Sequence, residues 1–264
     1  MEGGLIGRAR AGARAAALGA WTAGCVAVVE LDQLRGATPA ARRRLYEPHL
    51  RRWARGVNAI FGVEVRPRWE GGEAGRGAAA APPPAGRARL VVANHRSPVD
   101  ITVLLALFGG HVLSRADLAH WPVLGYAARS AGTIFVDRDS GASGAAALRA
   151  IRACLRTGAT VIVFPEGATH AGDEVRPFRP GAFAALRRLD AEVVPVGLAY
   201  EPGTEFIEDG FMDHLARVAS RPRLRVGVAV GAPRLAASAR TTETLAAAVH
   251  DDVQRLVHEA RRDV

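Results

Sequence analysis

With 264 residues, 49% of them hydrophobic, the chain has material for one sizeable α/β domain plus an accessory segment, or at most two small domains. Its formal charge of +9 comes from arginine alone, and the absence of lysine excludes both a Schiff-base lysine and the lysine of a nucleotide-binding P-loop. Two cysteines, Cys25 and Cys154, exclude a CxxC metal site and a disulfide framework, and aromatics at 6% that are not interleaved with the arginines argue against a nucleic-acid partner.

The first quarter is the basic part, with ten arginines in residues 1–60 against Glu2, Glu30, Asp32 and Glu47. Within it, "AAALGAWTAGCVAVV" runs uncharged for fifteen residues, short of the roughly 18–20 needed to span a bilayer. Arg8, Arg10 and Arg14 precede it, so a secretory signal peptide is an alternative reading. Next, Leu45, His49, Trp53, Val57 and Ile60 recur at helical spacing among arginines, with Pro48 expected to bend or restart the helix. Such a basic amphipathic helix either lies on a membrane or packs its apolar side on the domain and solvates its arginines. Residues 1–62 are thus expected as a membrane-associating helical hairpin, ahead of an α/β domain over 63–264. The low-complexity residues 70–88 are expected as a mobile loop.

From residue 89 apolar strands alternate with helical stretches. Strands are predicted at 89–94, 111–115, 133–138, 160–165, 193–200 and 223–230, and helices at 98–108, 117–130, 143–157, 180–189 and 241–262. That alternation predicts an α/β fold with a mixed, largely parallel sheet flanked by helices. In such sheets functional residues gather at the carboxyl ends of strands, so polar residues are sought where strands stop.

The first such end is "VVANHRSPVD". Ser97 before Pro98 suits an N-cap, with Pro98 at N1 and Asp100 at N3 of the following helix. His95 on the turn can then fold back toward Asp100. An imidazole oriented by a carboxylate is what general-base chemistry requires. The alternative is a capping box in which Asp100 only satisfies orphan N–H groups. A second His-x4-Asp, His258 with Asp263, falls on a charged C-terminal helix where the two side chains diverge. Three later strand ends add polar residues: Asp137 and Arg138 in "GTIFVDRD", Glu166, Gly167, Thr169 and His170 in "FPEGATH", and Pro195 inside "VVPVGLAY". Arg176 and Arg179 in "RPFRPGAF" stand just before a helix whose N-terminus can hold an anion. Taken singly, these are a charge cluster, a turn and an edge strand.

In order, the blocks "NHRSPVD", "GTIFVDRD", "FPEGATH" and "VVPVGLAY" resemble those of the glycerolipid acyltransferases, the lysophosphatidic acid acyltransferase family, over roughly residues 40–230. The resemblance implies a glycerol-3-phosphate acyltransferase-like fold and an enzyme on the cytoplasmic face of the cell membrane, peripheral or monotopic. It implies transfer of a fatty acyl group from acyl-CoA or acyl-ACP, as co-substrate with no metal or resident cofactor, to a lysophospholipid hydroxyl, converting 1-acyl-glycerol-3-phosphate to phosphatidic acid. It casts His95 as general base and Asp100 as its partner. Acceptor contacts fall to Arg138, Glu166, Gly167, Thr169, His170, Arg176 and Arg179. Donor-side or structural places fall to Asn94, Ser97, Phe135, Pro165 and Pro195. The third block departs from the family's usual FPEGTR, with Ala168 and Thr169 replacing the threonine and arginine. That departure admits another lysolipid, such as lyso-ornithine lipid, as the acceptor. A serine hydrolase is disfavoured because no GxSxG elbow occurs. A non-catalytic basic membrane-binding module remains the reading from another class.

Overall fold

A computed structural model describes residues 2–34, 39–84, 86–115, 125, 134–136, 141–207 and 210–264. Two helices come first, α1 over Glu2–Leu34 and α2 over Pro39–Phe61. The apolar run expected to be too short for a membrane is the middle of a 33-residue helix. By length and composition alone, Gly4–Asp32 of that helix suffices to cross a bilayer. Pro48 lies inside α2 without ending it, and its ring is exposed. The two helices interlock: Trp21 Nε1 donates to the Trp53 carbonyl (3.0 Å) and Trp53 Nε1 to buried Thr22 Oγ1 (3.1 Å). His49 pairs with Asp32 at 3.0 Å.

The remaining elements are β1 (Val63–Trp69), α3 (Gly72–Ala80), β2 (Ala88–Ala93), α4 (Val99–Phe108), β3 (His111–Arg115), β4 (Ile134–Val136) and α5 (Gly141–Arg156). They continue with β5 (Thr160–Val163), the single turn α6 (Gly181–Ala184), β6 (Ala191–Tyr200), α7 (Phe211–Ser220), β7 (Leu224–Val230), β8 (Arg234–Leu235) and α8 (Thr242–Ala260). The strands form one sheet in the order β1-β7-β6-β2-β5-β3-β4, with β8 on β6. Among the described residues only the β6–β7 and β6–β8 pairings are antiparallel, so the expected mixed, largely parallel sheet is observed.

Strand alternation divides the core between the two faces of this sheet. Val91 and Ala93 of β2 join Val103, Leu104 and Phe108 of α4 on one face, with Leu50, Trp53 and Ala54 of α2 behind them. Leu90 and Val92 join Ile151 and Leu155 of α5, Phe183 of α6 and Val249 and Val253 of α8 on the other. The helical hairpin therefore covers α4, which explains why α4 is apolar almost all round. On the opposite face α8 crosses β6 so closely that a Cβ on Gly197 would lie 2.2 Å from the Leu256 carbonyl carbon, a place only glycine can occupy.

Pro195 does not mark an edge, since β6 lies between β2 and β7. Its carbonyl accepts from Gly231 N (2.9 Å), so its missing N–H faces the same side. That side is the gap between the β7 partners, Val196 to Tyr200, and the β8 partners, Glu192 and Val193. No ladder donor is needed there.

Residues 70–88 are not simply a loop, because Gly72–Ala80 are helical. Arg89 explains the helix: buried on β2, its guanidinium donates to the carbonyls of Ala78 (2.9 Å), Ala79 (2.7 Å) and Ala81. It also pairs with buried Glu192 Oε1 at 2.6 and 2.8 Å. A local reading of composition cannot see an arginine that caps from the next strand. β1 and α7 are likewise not predicted, the 180–189 helix shrinks to α6 followed by turns, and the 117–130 helix lies, apart from residue 125, outside the described residues. Arg89→Leu should strand the buried Glu192 carboxylate and cost about 3–5 kcal/mol in a urea melt, as loss of one partner of a buried ion pair does. A loss under about 1 kcal/mol would place this pair among the weak surface ones.

Candidate active site

β2 and β5 are parallel neighbours whose connections leave on opposite faces, β2 through α4 and β5 through α6. Such a divergence opens a crevice beyond the carboxyl ends of the two strands. Into it β2 delivers residues 94–97 and β5 delivers residues 164–167.

As β2 ends, the Asn94 side chain continues its ladder, donating Nδ2 to the Leu198 carbonyl and accepting from Leu198 N, both at 2.8 Å. The backbone then turns, and α4 begins at Val99, one residue later than the predicted cap arrangement. Ser97 Oγ accepts from Val99 N (3.2 Å). Asp100 Oδ2 accepts from Arg96 N (2.7 Å), Ser97 N (2.9 Å) and the His95 ring at Nδ1 (2.7 Å). One oxygen thus gathers the orphan N–H groups and orients the imidazole at the same time. Tyr200 Oη donates to the other oxygen at 2.5 Å, and burial, reinforced by the Asp100 charge, pushes the phenol well above its ordinary range, so Tyr200 stays a donor.

The Asp100 side chain is fully buried while that of His95 is 13% exposed, so the pair runs from the interior to the rim. His95 stacks on Phe164, with centroids 4.1 Å apart and planes 14° off parallel. With Nδ1 donating to Asp100, the lone pair at Nε2 remains, and it meets no partner among the described residues. Such an imidazole can take a proton at Nε2 while the carboxylate balances the charge that forms.

The third block is tied to this turn from below. Glu166 Oε1 accepts from His95 N (2.6 Å) and Arg96 Nη1 (3.0 Å), and Oε2 from Arg176 N (2.9 Å). Arg96, itself buried, also donates to the carbonyls of His95 (2.8 Å), Gly172 (2.7 Å) and Glu174 (2.9 Å). Pro165 is buried, and its carbonyl accepts from Arg179 N (3.0 Å). Thr169 is partly exposed, and His170 N donates to the His95 carbonyl (3.0 Å). Gly167 has φ +83°, and a Cβ there would lie 2.8 Å from Arg179 Cζ, so the exposed Arg179 guanidinium rests on the third block.

The structure therefore gathers Asn94, His95, Ser97, Asp100, Pro165, Glu166, Gly167, His170, Arg176 and Arg179 around one turn. Pro195, paired with Val92, lies deeper in the sheet. Arg138 lies outside the described residues, as does the side chain of Phe135 in β4. His258 and Asp263 stay apart, the first bonded to Gln254 (3.1 Å) and the second to Arg68 (2.6 Å). Sequence reasoning missed Arg96 and Tyr200. Arg96 sits at a free position of its block, and Tyr200 carried only the weak signal of a phenol at a strand end.

A His–Asp pair at the carboxyl edge of a mostly parallel sheet that also packs on a helical hairpin is an arrangement compatible with acyl transfer, and the comparisons with known proteins place the chain among acyltransferases. The family model described as Acyltransferase matches residues 78–199. A 1-acyl-sn-glycerol-3-phosphate acyltransferase of Neisseria gonorrhoeae is 30% identical over 178 residues, covering 62% of this chain and 70% of that protein. A lyso-ornithine lipid O-acyltransferase of Pseudomonas aeruginosa is 35% identical over 136 residues, covering 49% and 52%. In fold, the chain is similar to the crystal structure of the 1-acyl-sn-glycerophosphate acyltransferase PlsC from Thermotoga maritima, with TM-score 0.66 at 20% identity over 92% of this chain and 95% of that one. The chain belongs to the acyltransferase family.

Removal of the Tyr200 hydroxyl tests the buried end of the pair. Tyr200→Phe should cost about 1–3 kcal/mol in chemical denaturation, because a buried carboxylate oxygen loses its donor. An unchanged midpoint would mean that water replaces the phenol.

Proposed function

We propose that the chain transfers a fatty acyl group from a thioester, acyl-CoA or acyl-ACP, to the free hydroxyl of 1-acyl-glycerol-3-phosphate. The observation that carries this reading is the His95 ring held through Nδ1 by buried Asp100 at the rim of the crevice, with no partner for Nε2 among the described residues. His95 removes the hydroxyl proton as that oxygen attacks the thioester carbonyl, Asp100 balances the transient imidazolium, and as the C–S bond breaks the imidazolium gives that proton to the departing thiolate, which leaves as the thiol. No acyl-enzyme is required. Asn94, Glu166 and Arg96 act as positioning groups, their polar atoms being engaged with the turn and its neighbours. Arg138 joins the acceptor site by the family resemblance.

In this reading the acceptor phosphate meets Arg179, whose guanidinium overlies Gly167 where the family's usual arginine is replaced by Thr169, with Arg176 and His170 beside it. A guanidinium gives a phosphate two parallel donors. The same replacement, together with relatives named for lyso-ornithine lipid, supports that lipid as the second reading. The enzyme works at the cytoplasmic face of the membrane, where Leu5, Ile6, Val28 and Leu31, exposed on α1, enter the lipid.

Turnover of a lysolipid panel with acyl-CoA and acyl-ACP, with products read by mass spectrometry, tests the proposal. Phosphatidic acid is the expected product, and acylated ornithine lipid alone would move the assignment to the second reading. His95→Ala should lower kcat by about 10²–10⁴-fold with the fold intact by circular dichroism. Near-normal turnover would remove His95 as the base. Arg179→Ala should raise KM for 1-acyl-glycerol-3-phosphate about ten- to a hundredfold, the size of a lost charge-assisted hydrogen bond, with kcat little changed. An equal rise for a neutral lysolipid would show that Arg179 does not read the phosphate. Replacing Leu5, Ile6, Val28 and Leu31 by serine should release the protein from sedimenting vesicles while leaving turnover of detergent-dispersed lysolipid. Undiminished sedimentation would exclude α1 as the anchor.

A further inference from the structure

A second histidine reaches the catalytic turn from the other side. His214, fully buried on α7, places Nε2 3.0 Å from Ser97 Oγ, and Ser97 N is one of the donors to Asp100. Its Nδ1 is 3.0 Å from Arg217 Nη2. A guanidinium only donates, so Nδ1 is the acceptor and the ring proton resides on Nε2. His214 therefore donates to Ser97 Oγ, which also accepts from Val99 N (3.2 Å). Two features exclude Ser97 as a nucleophile activated by this ring. The imidazole offers it a proton rather than a lone pair, and the hydroxyl is fully buried.

The same segment holds the turn a second time. Phe206 N donates to the Arg96 carbonyl (2.8 Å), and the Phe206 ring packs on His214 with centroids 5.0 Å apart. Arg217 Nη2 in turn donates to the Glu205 carbonyl (3.1 Å). Arg96 and Ser97, the two residues whose N–H groups aim at Asp100 Oδ2, are thus each clamped from the 205–217 region.

We propose that His214 is a positioning residue for the transfer, a fixed N–H donor that locks the Ser97 hydroxyl and, through the Arg96 and Ser97 amides, the carboxylate that orients His95. This rests on His95 as the base. His214 never meets the substrate. Its effect falls on kcat, because misplacing a reacting group by about 1 Å can cost about a hundredfold in rate.

The test begins with nitrogen-15 NMR of the full-length protein. The His214 shifts should report a protonated Nε2 and a bare Nδ1. The reverse tautomer would overturn the proposal, and this readout needs no turnover, so it stands apart from whether His95 is the base. Next, His214→Leu removes the donor and His214→Gln returns one. The leucine variant should lower kcat about ten- to a hundredfold with KM within about twofold, and should weaken the downfield His95 Hδ1 resonance. The glutamine variant should recover most of both. In an Asp100→Asn background, His214→Leu should cost little further activity, since the two act in series. A kcat loss of the same size in both backgrounds, with the His95 resonance unmoved, would make His214 a packing residue and overturn the assignment.

Discussion

The carboxylate of Asp100 is buried and takes donors from His95, Arg96, Ser97 and Tyr200. An ion removed from water is tolerated only when its lone pairs are met, and here the donors come from the turn itself and from the far end of β6. The turn has its shape because the carboxylate gathers the Arg96 and Ser97 amides. His95 has its orientation because the same oxygen holds Nδ1. Glu166 repeats the device one layer down, its two oxygens shared among His95 N, the Arg96 guanidinium and Arg176 N. Together these acids join the β2 and β5 ends into one rigid rim.

Arginine does the complementary work elsewhere. Arg51 of α2 reaches the last carbonyls of α4, at Leu107 (2.9 Å) and Phe108 (2.6 Å), and the Ala80 carbonyl at the end of α3 (3.3 Å). Arg14 of α1 closes the end of α7 through Ala219 (3.0 Å), Arg221 (2.6 Å) and Pro222 (3.1 Å), and Arg10 adds Ser220 (2.7 Å). Helix C-termini present unpaired carbonyls and the negative end of the macrodipole, which a guanidinium fork satisfies several at a time. Part of the positive charge of the first quarter is therefore engaged within the molecule, binding α1 and α2 to the rest of the fold.

The strand ends that gather the candidate site are legible because apolar runs break off in polar residues. β2, β3 and β6 fall close to where periodicity put them, and His95 with Asp100 follows from one turn and one helix start. What escaped reading depends on partners remote in sequence. The α3 helix needs Arg89, Tyr200 acquires meaning only beside Asp100, and His214 only beside Ser97, 117 residues away. The alternative of an edge strand at Pro195 falls away because the β7 and β8 pairings leave a gap at that position, which sequence alone cannot show.

One bond also sets when the active arrangement can exist. The segment carrying both His95 and Asp100 lacks the phenol that completes it, and that phenol arrives 100 residues later, at the end of β6. During synthesis the two N-terminal helices and the His95–Asp100 pair leave the ribosome first, while the carboxylate still has water for company. The set of donors around Asp100 is therefore completed late, so an emerging chain carries His95 and Asp100 well before the arrangement that holds them is whole.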